Sequence, residues 1–443
     1  MFYHEVLGIA VETVASFGVC PDSVGYVRDG TGRLLVVAED IPDKAQVGIA
    51  LKDKLGSYAA SVPLITGEVA KKVLEGPSSD RVVHCEGRAW QVRYFDRRLV
   101  GADWLHQPAQ KDDAVRVPTI VFGSLKGGVG RSTAMSVLCA DLTKSGKRVL
   151  AVDLDIEAPG LGFMLLPQGD TPENDRRPKF GTVDYLVEHG IGGVPQDALI
   201  DFLGVSPYLG GLADVVPAVG RLTDDEPHLM MEKLSRALVE DLTSERKSVL
   251  DQVRTMIDAL SASNQYDVVL IDARAGLGEI SAAPLLGLGA DVVLFATDQS
   301  QTFRGYRYLL AHMRQNFMMS DEGDWRQKLH FVQAKAPSAS SRRLSFRERL
   351  YEICAEFLYD EERLDQFGQV VRAPFNPSPD ELGYAVPHDA SFVEFHPNYD
   401  AFDPTEDGTQ LDREVYRGPY GAFLNWAWGL LGFVREEEVS LAD

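Results

Sequence analysis

The chain has 443 residues, room for about two or three domains, with 45% hydrophobic residues, four cysteines and a formal net charge of -22. That acidity repels nucleic-acid phosphates and anionic lipid, so any basic binding face has to be local; its plain reading is solubility. Cys20, Cys85, Cys139 and Cys354 stand at no metal-ligand spacing and are too sparse for a disulfide framework, and no stretch reaches the roughly 18 apolar residues of a membrane span.

The start, Met1-Phe2-Tyr3-His4-Glu5, lacks the basic segment and apolar run of a secretory signal, so a reducing cytoplasm is the expected setting. Residues 1–112 read as a small α+β domain, expected to serve as an accessory or partner-binding unit. Tyr26 to Glu39 predicts two strands around the turn Asp29-Gly30-Thr31-Gly32, and Asp43 to Leu55 predicts a helix. Arg81 to Trp104 predicts further strands, with turns at Glu86-Gly87 and Asp96-Arg97. His84 and Cys85 adjoin, but neighbours on a strand face opposite ways, so they make no site. Gln107 to Pro118 is polar and carries two prolines, which predicts a linker.

The pattern then changes, and residues 113–443 read as one larger domain. Thr119 to Ser124 is an apolar strand, Ser132 to Ser145 a helix of small and apolar residues, and Arg148 to Asp153 a second apolar strand. Strand, glycine loop, helix, strand is the βαβ unit of a parallel sheet. Asp214 to Pro217, Val268 to Asp272, Val292 to Ala296 and Leu329 to Gln333 predict more buried strands, with helical segments between them, notably Met230 to Ser261. The alternation predicts a doubly wound α/β fold with a mostly parallel sheet. Arg342 to Tyr359 predicts a charged helix and Pro374 to Pro397 a loop.

Chemistry concentrates between the first strand and helix, in Gly123-Ser124-Leu125-Lys126-Gly127-Gly128-Val129-Gly130-Arg131-Ser132-Thr133. Glycines let backbone N–H groups curl round an anion, and a helix N-terminus adds partial positive charge. Ser132 is placed to give its hydroxyl to Mg2+, and Thr133 to reach an inner phosphate. The usual phosphate loop is G-x-x-x-x-G-K-[ST]; here Arg131 stands where the lysine would be. Arginine is a permanent cation with a planar fork of donors, so it can hold β- and γ-phosphates. Two later strands end in carboxylates, Asp153 and Asp155 on the first and Asp272 on the second, where ligands of open α/β sheets bind. An aspartate there can orient an attacking water or hold a metal-bound water.

Residue by residue, this loop resembles the deviant Walker A motif of the ParA/MinD family, K-G-G-x-G-K-[ST]. The resemblance spans about residues 117 to 435. It implies ATP and Mg2+ as cofactors, with Gly127, Gly128, Val129, Gly130, Arg131, Ser132 and Thr133 around the phosphates. It implies that Lys126 reaches across a homodimer to the partner's nucleotide, that Asp155 orients the hydrolytic water, and that Ser132, Asp153 and Asp272 serve the metal. Val386-Pro387-His388-Asp389 resembles the family's late V-P-x-D turn, which places Pro387 near the adenine. Leu294 to Gly305 resembles the strand and loop contributing to the dimer face. This chain departs from the pattern at Arg131, at Arg274 in place of a proline after Asp272, and at Ala334-Lys335 in place of the adenine-reading Asn-Lys pair, which leaves base identity open.

The function expected from this resemblance is a Mg-ATP-dependent dimerisation switch, ATP-hydrolysing, that regulates a protein partner through the N-terminal domain. Variants with arginine in the loop resemble an offshoot of the family associated with bacterial conflict and defence gene clusters. A nucleotide-binding scaffold without turnover and a DNA- or cargo-partitioning ATPase are the alternatives. A tyrosine kinase would need a tail of clustered tyrosines, and a nitrogenase-reductase-like carrier paired cysteines; neither pattern is present. Nucleic acid is not an expected partner, because Arg342, Arg343, Arg347 and Arg349 are diluted by Glu348 and Glu352. Tyr420 to Phe433 reads as a helix packed on the sheet and not as a membrane anchor, since Glu436-Glu437-Glu438 follows it.

Overall fold

The computed structural model describes residues 1–85, 87–109, 117–171, 174–239, 248–262, 265–317, 324–361, 363–364, 368, 370–371 and 375–435. The chain divides into two compact units, Met1–Leu105 and His106–Asp443.

The first unit runs α1 (Val6–Ser16), β1 (Gly25–Arg28), β2 (Leu34–Ala38), α2 (Lys44–Leu55), β3 (Ala59–Thr66), α3 (Glu68–Leu74), β4 (Ser79–Cys85) and β5 (Arg88–Asp96). Its strands form one sheet in the order β3-β2-β1-β5-β4. The β1–β2 hairpin is closed by Asp29, whose Oδ1 accepts from the amides of Thr31 and Arg33, both at 2.9 Å. Alternation sends successive residues to different cores. Val36 joins the cluster built with Val11 and Val14 of α1 and Val47 and Leu51 of α2, while Val37 joins Ala70 of α3 and Phe95. His84 is exposed and Cys85 buried, as their adjacency on a strand requires.

Three elements of this unit are additions to the sequence reading. Helix α1 carries Val, Leu, Ile or Ala at seven of its eleven positions, so its period is hidden. Pro63 argues against a strand in β3, yet β3 lies at the sheet edge, where proline is tolerated. Helix α3 has only seven residues, too few to show periodicity. The expected turn at Asp96-Arg97 is not a hairpin; β5 ends there. Glu86 of the other expected turn lies outside the described residues.

The second unit runs β6 (Thr119–Ser124), α4 (Arg131–Lys144), β7 (Val149–Asp153), α5 (Leu161–Leu165), α6 (Thr182–His189), β8 (Gly204–Val205), β9 (Ala213–Val216), α7 (Arg221–Asp225), α8 (Leu229–Ala237) and α9 (Val249–Ala262). It continues with β10 (Val268–Ala275), α10 (Glu279–Gly287), β11 (Asp291–Ala296), α11 (Ser300–Asn316), β12 (Leu329–Ala336), α12 (Ser340–Phe357), the two-residue pair β13 (Arg363–Leu364) and β14 (Val370–Val371), β15 (Ser391–Glu394) and α13 (Arg413–Leu430). The main sheet has the order β15-β12-β11-β6-β10-β7-β9-β8. Its pairings are parallel except that of β8 with β9. This is the doubly wound, mostly parallel α/β fold that the alternation predicts. Its middle strands are apolar because helices cover both faces; all six residues of β6 are buried.

The aromatic C-terminal stretch is core. Phe423 on α13 packs edge-on to Phe295 and Phe122, with ring centroids 5.9 and 6.3 Å apart. Asp141 of α4, itself buried, fastens α13 by accepting from Tyr416 Oη at 3.1 Å and Trp428 Nε1 at 2.8 Å. Two corrections apply. The Pro374–Pro397 stretch supplies the edge strand β15, and Met230–Ser261 is two helices, α8 and α9, with 240–247 outside the described residues. The linker positions 110–116 and Glu436-Glu437-Glu438 also lie outside them.

Candidate active site

The loop from Ser124 to Gly130 leaves the carboxyl end of β6 and enters α4. Gly128 and Gly130 take φ of 71° and 87°, the left-handed region that side chains resist. A Cβ added at Gly127, Gly128 or Gly130 would meet nothing within 4 Å, so the space over the loop is open. The first-turn amides of α4, at Arg131, Ser132 and Thr133, have no intrahelical acceptor by geometry. An open concave backbone at a helix start is an anion cradle. Leu125 packs against Gly305 of α11, where an added Cβ would come within 2.8 Å of its Cδ1 and push that methyl aside.

The strand ends bring three aspartates to this loop. Asp272 of β10 pairs in register with Asp153 of β7. Asp153 is fully buried, and its carboxylate accepts from the amides of Asp155 at 2.9 Å, Gly160 at 3.2 Å and Leu161 at 3.0 Å. It shapes the turn after β7. Burial, and then the negative charge of Asp272, push its carboxyl up to about 7 against those amide bonds. Burial raises Asp272 as well, against the pull of Arg131 and the Ser132 hydroxyl.

Arg131 is the hub. Its Nε donates to Asp272 Oδ1, its NH2 to Asp155 Oδ2 at 2.8 Å, and its NH1 to Ser124 Oγ at 3.2 Å. Burial alone would pull its guanidinium down, but Asp272 and Asp155 outweigh it and hold it above its ordinary value. Ser132 donates its hydroxyl to Asp272 Oδ2. Asp155 keeps one buried oxygen, Oδ1, with no hydrogen-bond partner. Lys126 lies exposed at the loop's start, its Nζ donating to Gln299 Oε1 at 3.0 Å. Thus the structure gathers Lys126, Arg131, Ser132, Asp153, Asp155 and Asp272 around one loop. Arg274 forms an ordinary ion pair with Glu157 at 2.5 Å.

Pro387 is not brought to this place. Its turn precedes β15, and the neighbouring His388 packs on Tyr351 and Tyr359 at the far end of α12. The cleft flanking Val129 and Gly130 is lined instead by Phe295, Lys335, Glu394 and Tyr399, with Tyr420 beneath. Lys335 holds φ at 51°, rare for a non-glycine residue, and its Nζ lies 3.5 Å from Asp400. In the sequence Lys335 stands out only as a departure from the family's adenine-reading pair. Glu394 carries no sequence signal, because β15, which delivers it, sits in a proline-rich stretch, and Tyr399 follows in a short 3-10 turn, Pro397–Tyr399. The basic residues of α12 are engaged within the fold: Arg342 and Arg349 pair with Asp298, Arg343 with Glu394, and Arg347 donates to the carbonyls of Pro379 and Glu381.

Among the described residues no cluster of three His, Cys, Asp or Glu side chains could hold a metal ion, and no helix is long and apolar enough to cross a membrane.

Residues 120–372 match the family model described as the CobQ/CobB/MinD/ParA nucleotide binding domain. Protein IncC of Escherichia coli is 26% identical over 240 residues, which are 52% of this chain and 54% of IncC, so the chain spans about half the length of this relative. Among solved structures, a ParA family ATPase from Chlorobium tepidum TLS is 15% identical, covering 70% of this chain and 98% of its own, with a TM-score of 0.42. The MinD cell division protein of Aquifex aeolicus is 16% identical, covering 72% and 98%, with a TM-score of 0.41.

Proposed function

Because the chain belongs to the CobQ/CobB/MinD/ParA nucleotide-binding family, we propose that it is an ATP-operated dimerisation switch, with ATP and Mg2+ at the loop Lys126–Thr133. One observation carries this reading. The space over Gly127, Gly128 and Gly130 is open at the start of a 14-residue helix, with Ser132 and Asp272 joined beside it. Those features support a triphosphate and its cation: amides and helix end would take the phosphates, and the Ser132 hydroxyl and Asp272 carboxylate are oxygen donors of the kind Mg2+ takes. Mg2+ would neutralise charge on the outer phosphate oxygens.

In this reading the first-turn amides of α4 hold the inner phosphates. The cleft beside Val129, with Lys335 and Glu394 on its wall, receives the nucleoside. The unpartnered Oδ1 of Asp155 accepts a proton from the attacking water and orients it. Lys126, exposed and held through its ammonium by Gln299, is free to leave for a second copy's nucleotide. Residues 1–112 meet the regulated protein. The free cysteines suit a reducing compartment.

The test is ATP-dependent mass analysis of the full chain beside Lys126→Ala and Asp155→Ala. An ATP-stabilised dimer is expected for Asp155→Ala, and weakened dimerisation for Lys126→Ala. No effect of nucleotide on the mass or heat stability of any of the three would overturn the switch.

A further inference from the structure

Arg131 has the position of a phosphate-gripping cation but not its contacts. All three of its nitrogens are engaged inside the protein, on Asp272, Asp155 and Ser124. Its side chain is 8% exposed, Asp155's is 10% and Asp272's is 1%, so these charges meet out of water. The fork geometry of a guanidinium suits this bridging; a lysine ammonium is a single point charge and cannot span both carboxylates and the hydroxyl. Oδ2 of Asp155 is thereby tied to Arg131, and Oδ1 is the oxygen without a partner in the protein.

We infer that Arg131 is a positioning residue that restrains Asp155, tying the water-orienting carboxylate to Asp272 so that turnover is slow while nucleotide binding is left to the loop amides. The kinetic part rests on the ATP-site reading; the ion triad itself does not. The restraint is static chemistry of this chain. With two of its five N–H donors on carboxylates and a third on Ser124, the guanidinium is turned towards the strand ends and contributes little to phosphate affinity, and the carboxylate it holds is tied at one oxygen.

The experiment has two arms on the full-length chain. The first uses nucleotide-free protein: thermal midpoints of wild type, Arg131→Lys, Asp155→Asn and the double variant. The shifts are expected to be non-additive, with Arg131→Lys costing clearly less once Asp155 is neutral. Additive shifts would overturn the contact, whatever the protein binds. The second arm measures MgATP turnover. Arg131→Lys is expected to raise kcat about tenfold with KM within about threefold, and the gain should vanish in Arg131→Lys/Asp155→Ala. A fall in affinity without gain in kcat, or no gain at all, would overturn the restraint. Arg131→Gln, which removes both ion pairs and keeps a side-chain donor, is expected to raise kcat about two- to threefold, and supplies the same test if the lysine variant does not fold. Absence of ATP binding in every variant would sink the proposed function, while the first arm would still decide the triad.

Discussion

Helix α4 carries a buried aspartate–arginine cluster at each end, and the two are completed differently. Near its C-terminus Asp141 has both oxygens occupied, Oδ1 by Tyr416 and Oδ2 by Trp428 and Arg435. At its N-terminus Asp155 has Oδ2 on Arg131 and Oδ1 on nothing. A buried oxygen left without a donor is costly. The Asp141 cluster is closed and holds α13 against the core. The Asp155 cluster lies under an open loop with acceptor capacity to spare, which is what a reactive site needs and a structural one avoids.

The largest expected effect comes from breaking the closed end. Asp141→Ala strands Trp428 Nε1, Tyr416 and Arg435, and should cost about 3 kcal/mol of unfolding free energy in a denaturant titration. Nucleotide affinity should hardly change wherever the variant remains folded. The open end should show instead in the pH dependence. Burial and the charge of Asp272 push the Asp153 carboxyl up to about 7 in the fold, against an ordinary value of about 4 in the unfolded chain, so the folded state binds the extra proton between those values. Its contribution to stability is therefore complete at about pH 4 and is lost as pH rises towards about 7, at no more than about 1.4 kcal/mol per pH unit. Asp153→Asn should flatten that slope in unfolding measured across the range. A smaller effect is expected at Gly128: alanine at φ 71° should cost about 1 kcal/mol and place a methyl in the open space, lowering nucleotide affinity in a fluorescent-nucleotide titration. The smallest is Lys126→Ala, whose exposed ammonium should change nucleotide-free stability by less than about 0.5 kcal/mol, so any loss of dimer it causes would be a loss of function and not of fold.

Much of this molecule is legible in its sequence because parallel strands buried on both faces read as unbroken apolar runs, as β6, β7 and β10 do, and because Gly128 and Gly130 are demanded by backbone conformation. Positions fixed by long-range pairing are not legible. Arg131 and Asp272 are 141 residues apart, and only the sheet order that sets β10 beside β6 brings them together. Glu394 becomes a neighbour of the loop through β15, whose four residues lie in a stretch that reads as loop because of its prolines, and it meets there Lys335 at the end of β12. Resemblance alone points to Pro387, whose turn packs against Tyr351 and Tyr359 through His388.

Calorimetric titration of MgATP into the nucleotide-free full-length chain tests the central claim most directly. Saturable binding at one site per chain, weakened by Gly128→Ala, is the result this account requires. A flat titration of the wild-type chain at millimolar nucleotide, with the protein folded, would contradict it.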